Sequence, residues 1–204
     1  LANTDGSFDW EIAPVSIKTR AGETVMDKDE TPFAVNVDKI PTLKPAFRPN
    51  GTITPANASS ISDGAAAVVL SRQSTATQQG LKPLARIVGH ATHAADMASF
   101  PGAPVHAIKK LYAKTGWTTK DVDLFEVNEA FAVVAMAAMR DLDIPHDKMN
   151  VHGGACALGH PVGSTGARLI VTLIGALRQR GLKRGVASLC IGGGEATAIA
   201  IELL

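Results

Sequence analysis

The chain has 204 residues, of which 46% are hydrophobic and 19% are charged, and its formal net charge at pH 7 is +1. This composition supports a buried core and excludes an intrinsically disordered chain. The near-zero net charge and the 4% content of aromatic residues argue against nucleic acid as a partner. The longest apolar stretches are interrupted by charged residues or histidine too often to span a bilayer, so we expect no membrane partner either.

The two cysteines, Cys156 and Cys190, are too few for a disulfide framework, which favours a reducing compartment. We expect a cytoplasmic protein, or one of the mitochondrial matrix or the peroxisome if the source is eukaryotic. The chain begins at Leu1 with loop-like sequence and has neither an initiating Met nor the pattern of a signal peptide. We expect such a start in the interior of a longer protein.

Residues 1–57 are predicted to form strand and loop without a core of their own. Residues 12–18 alternate between apolar and polar side chains, as a half-buried strand does, and residues 21–23 are typical of a turn. Residues 27–57 contain five prolines and few apolar pairs, so we expect this segment to lie over another surface.

The pattern becomes more regular in the next part of the chain. An apolar run over residues 65–70 predicts a buried strand, and residues 84–90 alternate like a second strand. Residues 104–114 predict a helix, because their apolar side chains fall on one face, a proline suits the first turn and Gly116 suits the stop.

The remaining sequence alternates between short apolar strands and amphipathic helices. Strands are predicted over 123–127, 150–152, 185–191 and 196–203, and helices over 130–142 and 164–180. Strands that alternate with helices indicate an α/β layered fold. Since only a short glycine-rich turn separates the last two strands, we expect them to form an antiparallel hairpin.

Three loops that follow predicted strands are candidates for a functional site, because sites in layered α/β folds collect there. The first loop contains Asn128, whose amide would orient a water or a substrate oxygen, unless it caps the next helix. The third loop contains Cys190, which is followed closely by Gly192 and two further glycines. A thiol at this place is either an acid or base, or a small residue of the core.

The second loop is rich in glycine and contains His160, shortly before a predicted helix. The partial positive charge of that helix end disfavours a protonated imidazole, and a neutral imidazole can accept a proton from a thiol or bind an oxyanion. The alternatives are a structural histidine and a phosphate-binding loop, although the glycines lack the Lys-Ser or Lys-Thr pair of a P-loop. We expect no metal site, because the cysteines, His152 and His160 lack paired ligand spacing.

Together these loops resemble the motifs of the thiolase family. Residues 128–131 resemble its Asn-Glu-Ala-Phe motif, and residues 153–166 resemble its Gly-Gly-Ala…Gly-His-Pro…Gly motif. Residues 190–194 resemble its closing Cys-x-Gly-Gly-Gly motif, and residues 57–66 resemble a further thiolase signature. The motifs stand in the family's order and at its spacing, so the resemblance covers nearly the whole chain.

The resemblance implies an α/β, thiolase-like layered fold with a mixed five-stranded sheet in βαβαβαββ order and helices on both faces. It implies a loop-domain remnant over residues 1–57, the last part of the N-terminal half over 58–80, and the C-terminal domain over 81–204. Thiolases are about twice as long, and their nucleophilic cysteine lies in a part of the N-terminal half that this sequence does not include. We therefore expect no turnover from the isolated chain.

The activity that the resemblance implies is a two-step acyl transfer between thioesters and coenzyme A. Carried over to this sequence, His160 would activate the nucleophile and bind a thioester oxyanion. Cys190 would be the acid or base at the α-carbon of acetyl-CoA, and Asn128 would hold a water in an oxyanion hole. The backbone N–H of Gly192 would donate to a second oxyanion hole.

The substrates that the resemblance implies are acetyl-CoA, other acyl-CoA thioesters and coenzyme A, with no permanently bound cofactor. Ser59, Ala130 and Phe131 would line the pantetheine channel. The full-length protein would be a homo-oligomer, either a dimer or a tetramer, of lipid and fatty-acid metabolism.

The leading interpretation is a thiolase that condenses acetyl-CoA to acetoacetyl-CoA and catalyses the reverse thiolysis. The first alternative is a thiolase that acts on longer 3-ketoacyl-CoA chains in fatty-acid β-oxidation. Two further alternatives are a non-catalytic fragment that serves as an interaction module, and a nucleotide-binding module whose only support is the glycines.

Overall fold

The computed structural model describes residues 2–204 as an α/β fold of six strands and six α-helices. The strands are β1 (Val15–Thr19), β2 (Gly22–Met26), β3 (Ala85–Ala94), β4 (Leu124–Val127), β5 (Arg184–Cys190) and β6 (Glu195–Leu203). The helices are α1 (Thr31–Ala34), α2 (Gln73–Gln78), α3 (Ala103–Thr115), α4 (Ala132–Leu142), α5 (Ala155–Leu158) and α6 (Thr165–Gln179). Short 3-10 turns occupy Val37–Thr42, Met97–Gly102, Thr119–Asp121 and His146–Lys148.

The main sheet has the strand order β3-β6-β5-β4 and is mixed. Strands β4 and β5 are parallel, whereas β6 is antiparallel to both β5 and β3. The predicted hairpin of the last two strands and the predicted mixed α/β architecture are therefore confirmed.

Helices cover both faces of this sheet, because alternate strand residues point to opposite sides. Helices α3 and α4 pack on the face that carries Phe125 and Val186. Helix α6 packs on the other face, which carries Leu124, Ala187 and Ile201. The predicted helices over 104–114, 130–142 and 164–180 match α3, α4 and α6 to within two residues at each end.

The fifth strand of the main sheet is a prediction that was wrong. Residues 150–152 form a turn, and a single parallel bridge between Phe125 and Met149 stands where that strand was expected. Asn150 has a left-handed φ of 46°, which is incompatible with a strand. Its side-chain amide pairs with the backbone of Val127, so a side chain replaces the backbone partner that a fifth strand would have supplied.

The buried strand over residues 65–70 is a second prediction that was wrong. This segment is irregular, and Val69 is 95% exposed. A strand needs a neighbour to pair its N–H and C=O groups, and no strand within residues 2–204 lies beside this segment.

The first 80 residues contain little buried apolar surface. The predicted strand over 12–18 is present as β1, which pairs with β2 in an exposed two-stranded hairpin. Within residues 2–80 only Phe8 and Ala76 are buried hydrophobic side chains. The boundaries of the three predicted domains stay a prediction. None of the helices in the described part of the chain is long and apolar enough to cross a membrane.

Candidate active site

Asn128 lies directly beyond the end of β4, at the edge where the first candidate loop begins. Its N–H donates to the carbonyl of Ser188 at 2.9 Å, which extends the parallel pairing of β4 with β5 by one step. Its side chain is buried, and the Nδ2 group lies 3.4 Å from Nε2 of His160. The helix-cap interpretation of Asn128 is wrong, because Phe131 occupies the cap position of α4 and no side chain caps that helix.

His160 is held by both of its ring nitrogens. Nδ1 lies 2.7 Å from Oγ1 of Thr165, the first residue of α6, and that hydroxyl donates to the carbonyl of Pro161 at 2.9 Å. The Thr165 hydroxyl has one proton and donates it to Pro161. We therefore assign the proton in the contact between Thr165 and His160 to Nδ1. Nε2 then carries a lone pair, which accepts the hydrogen bond from the Asn128 amide.

Electrostatics also favour a neutral His160. Burial lowers the pKa of this imidazole, and the positive charge of Arg168 lowers the same pKa further. The neutral imidazole that the sequence predicted is therefore supported. The sequence predicted it from the positive end of a helix, whereas the causes in the structure are burial and the charge of Arg168. A neutral ring with a lone pair on Nε2 is the form that accepts a proton from a thiol.

Cys190 is the last residue of β5 and is buried. It lies two residues beyond Ser188, so the β4–β5 pairing brings it to the same corner of the sheet as Asn128. Burial raises the pKa of the Cys190 thiol, whereas a thiol that acts as a base at neutral pH would need a lowered pKa. The thiol is therefore protonated at neutral pH and is suited to donating a proton.

The glycines after Cys190 form a tight turn. The N–H of Gly194 donates to the carbonyl of Ile191 at 3.0 Å, and Gly194 has a left-handed φ of 98°. Among residues 2–204, the exposed N–H of Gly192 has no hydrogen-bond acceptor. It is therefore free to donate to a ligand oxygen.

A segment around Ser59 connects the first two loops. The N–H and the hydroxyl of Ser59 both donate to the carbonyl of Ala130, at 3.1 and 3.0 Å. One residue later, the carbonyl of Ser60 accepts from the N–H of His160 at 2.9 Å. This segment thus fixes the Ala130 loop and the His160 loop relative to each other.

Phe131 belongs to an aromatic cluster beside this segment. Its ring lies 5.9 Å from that of Phe47 and 6.1 Å from that of Phe100, measured between centroids. The Phe47 side chain is exposed, so the cluster presents an apolar surface to solvent. Such a surface suits the alkyl part of a ligand.

Four residues near the site received no role from the sequence, although one of them, Glu129, stands in the Asn-Glu-Ala-Phe motif. They are Glu126, Glu129, Asn150 and Arg168. Glu126 is only 1% exposed, and burial raises its pKa to about 8, although Arg168 opposes that shift from 3.8 Å away. A charged residue in the otherwise apolar strand β4 was the signal that would have revealed Glu126.

A half-buried glutamate from the N-terminal part of the chain, Glu11, lies close enough to Arg168 and Glu126 to interact with both electrostatically. Burial raises the pKa of Glu11 to about 7, and one of its oxygens accepts from the Thr172 hydroxyl at 3.2 Å. Within residues 2–204, no group of three or more side chains is arranged to hold a metal ion, and both cysteines are free thiols.

Comparisons with known proteins relate the chain to one family. A family model described as "Thiolase, C-terminal domain" matches residues 81–203, and one described as "Thiolase, N-terminal domain" matches residues 1–74. The chain is 52% identical to a probable acetyl-CoA acetyltransferase of Dictyostelium discoideum, covering 100% of this chain and 49% of the relative. It is 47% identical to the cytosolic acetyl-CoA acetyltransferase of Mus musculus, covering 98% of this chain and 51% of the relative.

Solved structures agree with these relatives. The acetyl-CoA acetyltransferase of Bacillus anthracis superposes with a TM-score of 0.96 at 46% identity, covering 100% of this chain and 52% of that one. Human mitochondrial 3-ketoacyl-CoA thiolase gives 0.89 at 38% identity, with 100% and 52% covered. The Acat5 thiolase of Ascaris suum in complex with coenzyme A gives 0.88 at 37%, also with 100% and 52% covered. The chain spans about half the length of the curated relatives it matches.

Proposed function

Because the chain belongs to the thiolase family, we propose that it forms the C-terminal part of an acetyl-CoA acetyltransferase. The reaction joins two acetyl-CoA molecules to acetoacetyl-CoA and coenzyme A, and the reverse reaction is thiolysis. The observation that carries the proposal is the contact between the Asn128 amide and the unprotonated Nε2 of His160, at the corner of the sheet where Cys190 ends β5.

His160 acts in two successive roles. Its Nε2 lone pair first exchanges the weak hydrogen bond from the Asn128 amide for the proton of a nucleophilic thiol, which is supplied by a part of the enzyme outside this sequence. The resulting Nε2–H group then donates to the oxyanion of the thioester. Thr165 keeps Nδ1 protonated throughout, so Nε2 is the nitrogen that exchanges the proton.

Cys190 exchanges a proton with the α-carbon of the acetyl group. In the thiolysis direction the protonated thiol donates its proton to the departing carbanion, and the raised pKa of Cys190 suits this step. In the condensation direction the same step runs in reverse: the deprotonated form of Cys190, which is the minor form at neutral pH, takes the α-proton, and the negative charge moves to the thioester oxygen as an enolate. That oxygen needs fixed donors, which supply about 3–4 kcal/mol each in comparable sites.

Asn128 and Gly192 provide donors for these oxyanions. The Oδ1 atom of Asn128 is buried and has no hydrogen-bond donor within residues 2–204, so it is available to hold a water next to Nε2 of His160. The free N–H of Gly192 forms the second oxyanion site.

The substrates are coenzyme A thioesters, in line with the coenzyme A complex of the Ascaris suum relative. Ser59, Ala130 and Phe131 line the channel of the pantetheine arm, next to the exposed aromatic surface. We further propose that the full-length enzyme is a cytoplasmic homo-oligomer, a dimer or tetramer, without a permanently bound cofactor.

A second candidate substrate class is longer 3-ketoacyl-CoA. It is supported by the superposition on human mitochondrial 3-ketoacyl-CoA thiolase at 38% identity, compared with 46% for the acetyl-CoA acetyltransferase of Bacillus anthracis. The dependence of kcat/KM on acyl-chain length separates the two classes. A maximum at four carbons of the 3-ketoacyl chain supports the acetyl-CoA acetyltransferase.

The proposed function is tested by exchange of the acetyl protons of acetyl-CoA in D2O, followed by NMR with the full-length enzyme that carries this sequence. We expect Cys190→Ala to slow the exchange by about 10²- to 10⁴-fold, because the proton acceptor is lost. Cys156→Ser is the matched control and should keep the normal rate, because its hydroxyl replaces the thiol donor to the carbonyl of Glu129. Exchange at the normal rate in the Cys190 variant would show that the acid/base role is wrong.

A further inference from the structure

Asn128, which contacts His160, is followed by a glutamate to which neither the motif nor the proposed reaction gives a role. The carboxylate of Glu129 does not point into the site. Instead, Oε1 accepts from the side-chain amide of Asn150 at 2.9 Å, and Oε2 accepts from the backbone N–H of Cys156 at 3.1 Å. Because both oxygens are taken by fixed donors, this carboxylate is poorly placed to act as a general base.

The first of these contacts anchors the chain on both sides of Asn128. The amide of Asn150 also binds the residue before Asn128: its Oδ1 accepts from the N–H of Val127 at 2.8 Å, and its Nδ2 donates to the carbonyl of Val127 at 2.9 Å. A single buried amide therefore holds Val127 and Glu129 at once. The residue between them, Asn128, cannot shift without breaking one of these bonds.

The second contact connects Glu129 to the segment that leads to His160. Cys156 is the second residue of α5, which ends at Leu158, and only Gly159 separates that end from His160. The carboxylate therefore bridges the residue that follows Asn128 and the short helix that precedes His160. These are the two sides of the 3.4 Å contact between Asn128 and His160.

Gly154 gives independent support for this bridge. Its φ of −140° is accessible to any residue, so backbone conformation does not require glycine here. A Cβ atom at this position would instead overlap the carboxylate group of Glu129. The glycine is thus explained by the space that the carboxylate occupies.

We propose that Glu129 is a positioning residue, which uses its carboxylate to hold the Asn128 amide in contact with Nε2 of His160. Asn128 and His160 remain the groups that face the substrate, and Glu129 acts through them. The kinetic consequence rests on the proposed function, whereas the geometric consequence concerns only the contact between the two side chains.

The test uses Glu129→Gln in the full-length enzyme that carries this sequence. An amide of the same shape offers one acceptor where the carboxylate offers two, so either Asn150 or Cys156 loses its partner. We expect kcat to fall by about 10- to 100-fold, because small misplacements of reacting groups have effects of this size. The KM for the coenzyme A thioester should change less than threefold. Glu23→Gln, in the exposed strand β2, is the control for the loss of a charge.

The second measurement does not depend on activity. The His160 ring nitrogens are observed by NMR in histidine-labelled protein and assigned with a His160→Gln sample. In the parent protein burial lowers the pKa of His160. In the Glu129 variant we expect this pKa to move up towards the ordinary value, because a loosened loop admits water to the ring. A purely structural role for Glu129 would leave the titration of His160 unchanged.

A pair of glycine variants tests the same proposal without changing Glu129 itself. Gly154→Ala displaces the Glu129 carboxylate, whereas Gly163→Ala adds its methyl group in the same loop, where nothing lies within 4 Å. We expect only the first variant to reproduce the changes in kcat and in the His160 titration. If the Glu129 variant does not fold, this pair decides the question.

The outcomes separate this proposal from the proposed function. Unchanged His160 titrations in both Glu129→Gln and Gly154→Ala would overturn the positioning role, whatever the activity. A shifted titration in a protein without thiolase activity would support the positioning role and contradict the proposed function. Equal effects of the two glycine variants would also overturn the positioning role.

Discussion

The two parts of the chain, residues 2–80 and residues 81–204, differ in how they are stabilised. All buried hydrophobic side chains except Phe8 and Ala76 lie in the second part, where helices cover both faces of the main sheet. The first part has a two-stranded hairpin and short helices on an exposed surface. It contacts the candidate site through a few hydrogen bonds, such as that of Ser60 to His160. The second part therefore supplies the framework of the site, and the first part is held in place by it.

A substitution in the core of the second part should destabilise the protein far more than one in the first part. Phe125 is fully buried between the sheet and helices α3 and α4, so Phe125→Ala should lower the free energy of unfolding by about 3–5 kcal/mol. Phe33→Ala, at a residue that is 57% exposed, should lower it by less than about 0.5 kcal/mol. Chemical denaturation of the two variants measures both values. Similar losses would contradict the division of the chain into a core and an attached surface.

The next effect concerns the dependence of stability on pH, because Glu126 and Glu11, one in each part, interact electrostatically. Burial raises the pKa of Glu126 to about 8 and that of Glu11 to about 7. In the unfolded chain both groups lose their protons at lower pH, so the folded state binds more protons. The free energy of unfolding should therefore fall as the pH rises towards 8.

The clearest window is pH 6.5–8, since the lowered pKa values of His152 and His160 produce an opposite slope at more acidic pH. Glu126→Gln should make the free energy of unfolding fall less steeply with pH in this window, by up to about 1.4 kcal/mol per pH unit. Denaturation curves at four pH values measure the slope, and Glu23→Gln should leave it as it is. An identical slope in the Glu126 variant would mean that this carboxyl ionises as readily in the folded state as in the unfolded chain.

The smallest effect concerns the attachment of the first part at Ser59. Ser59→Ala removes the hydroxyl bond to the carbonyl of Ala130, which is worth about 1 kcal/mol. The N–H of His160 binds the next residue, Ser60, so its hydrogen exchange should become about fivefold faster. Ser16→Ala, in the exposed strand β1, should leave this exchange rate unchanged. The same acceleration in both variants would show that the segment is not anchored at Ser59.

The sequence predicted well those elements whose signal is local. The three long helices α3, α4 and α6 were predicted to within two residues of their ends, because the apolar periodicity and terminal residues such as Gly116 are properties of the segment itself. The short helices α1, α2 and α5 were not predicted, since segments of four to six residues show no such periodicity. The strands over 65–70 and 150–152 were predicted wrongly for a different reason. A strand depends on the strand beside it. The segment over 65–70 has no neighbouring strand within residues 2–204. Where the strand over 150–152 was expected, the side-chain amide of Asn150 pairs with Val127 instead.

The candidate site follows the same rule. Asn128, His160 and Cys190 were found because each stands in a recognisable loop, but their roles stay predictions. The bridge made by Glu129 joins residues that lie more than twenty positions apart, and only the folded chain reveals it. The raised pKa of Cys190 also depends on burial by distant segments, which a local pattern does not contain.

In the glycine turn after β5, Gly192 and Gly194 are glycines for different physical reasons. Gly194 has a left-handed φ, and a Cβ there would collide with the carbonyl oxygen of Ala95, so folding alone demands glycine. At Gly192 the φ is ordinary and nothing lies within 4 Å of an added Cβ, so folding would tolerate alanine. Any selection against a side chain at position 192 must then come from the molecule that approaches its N–H. Two glycines of the same motif thus answer to different demands, Gly194 to chain geometry and Gly192 to the chemistry of an approaching ligand.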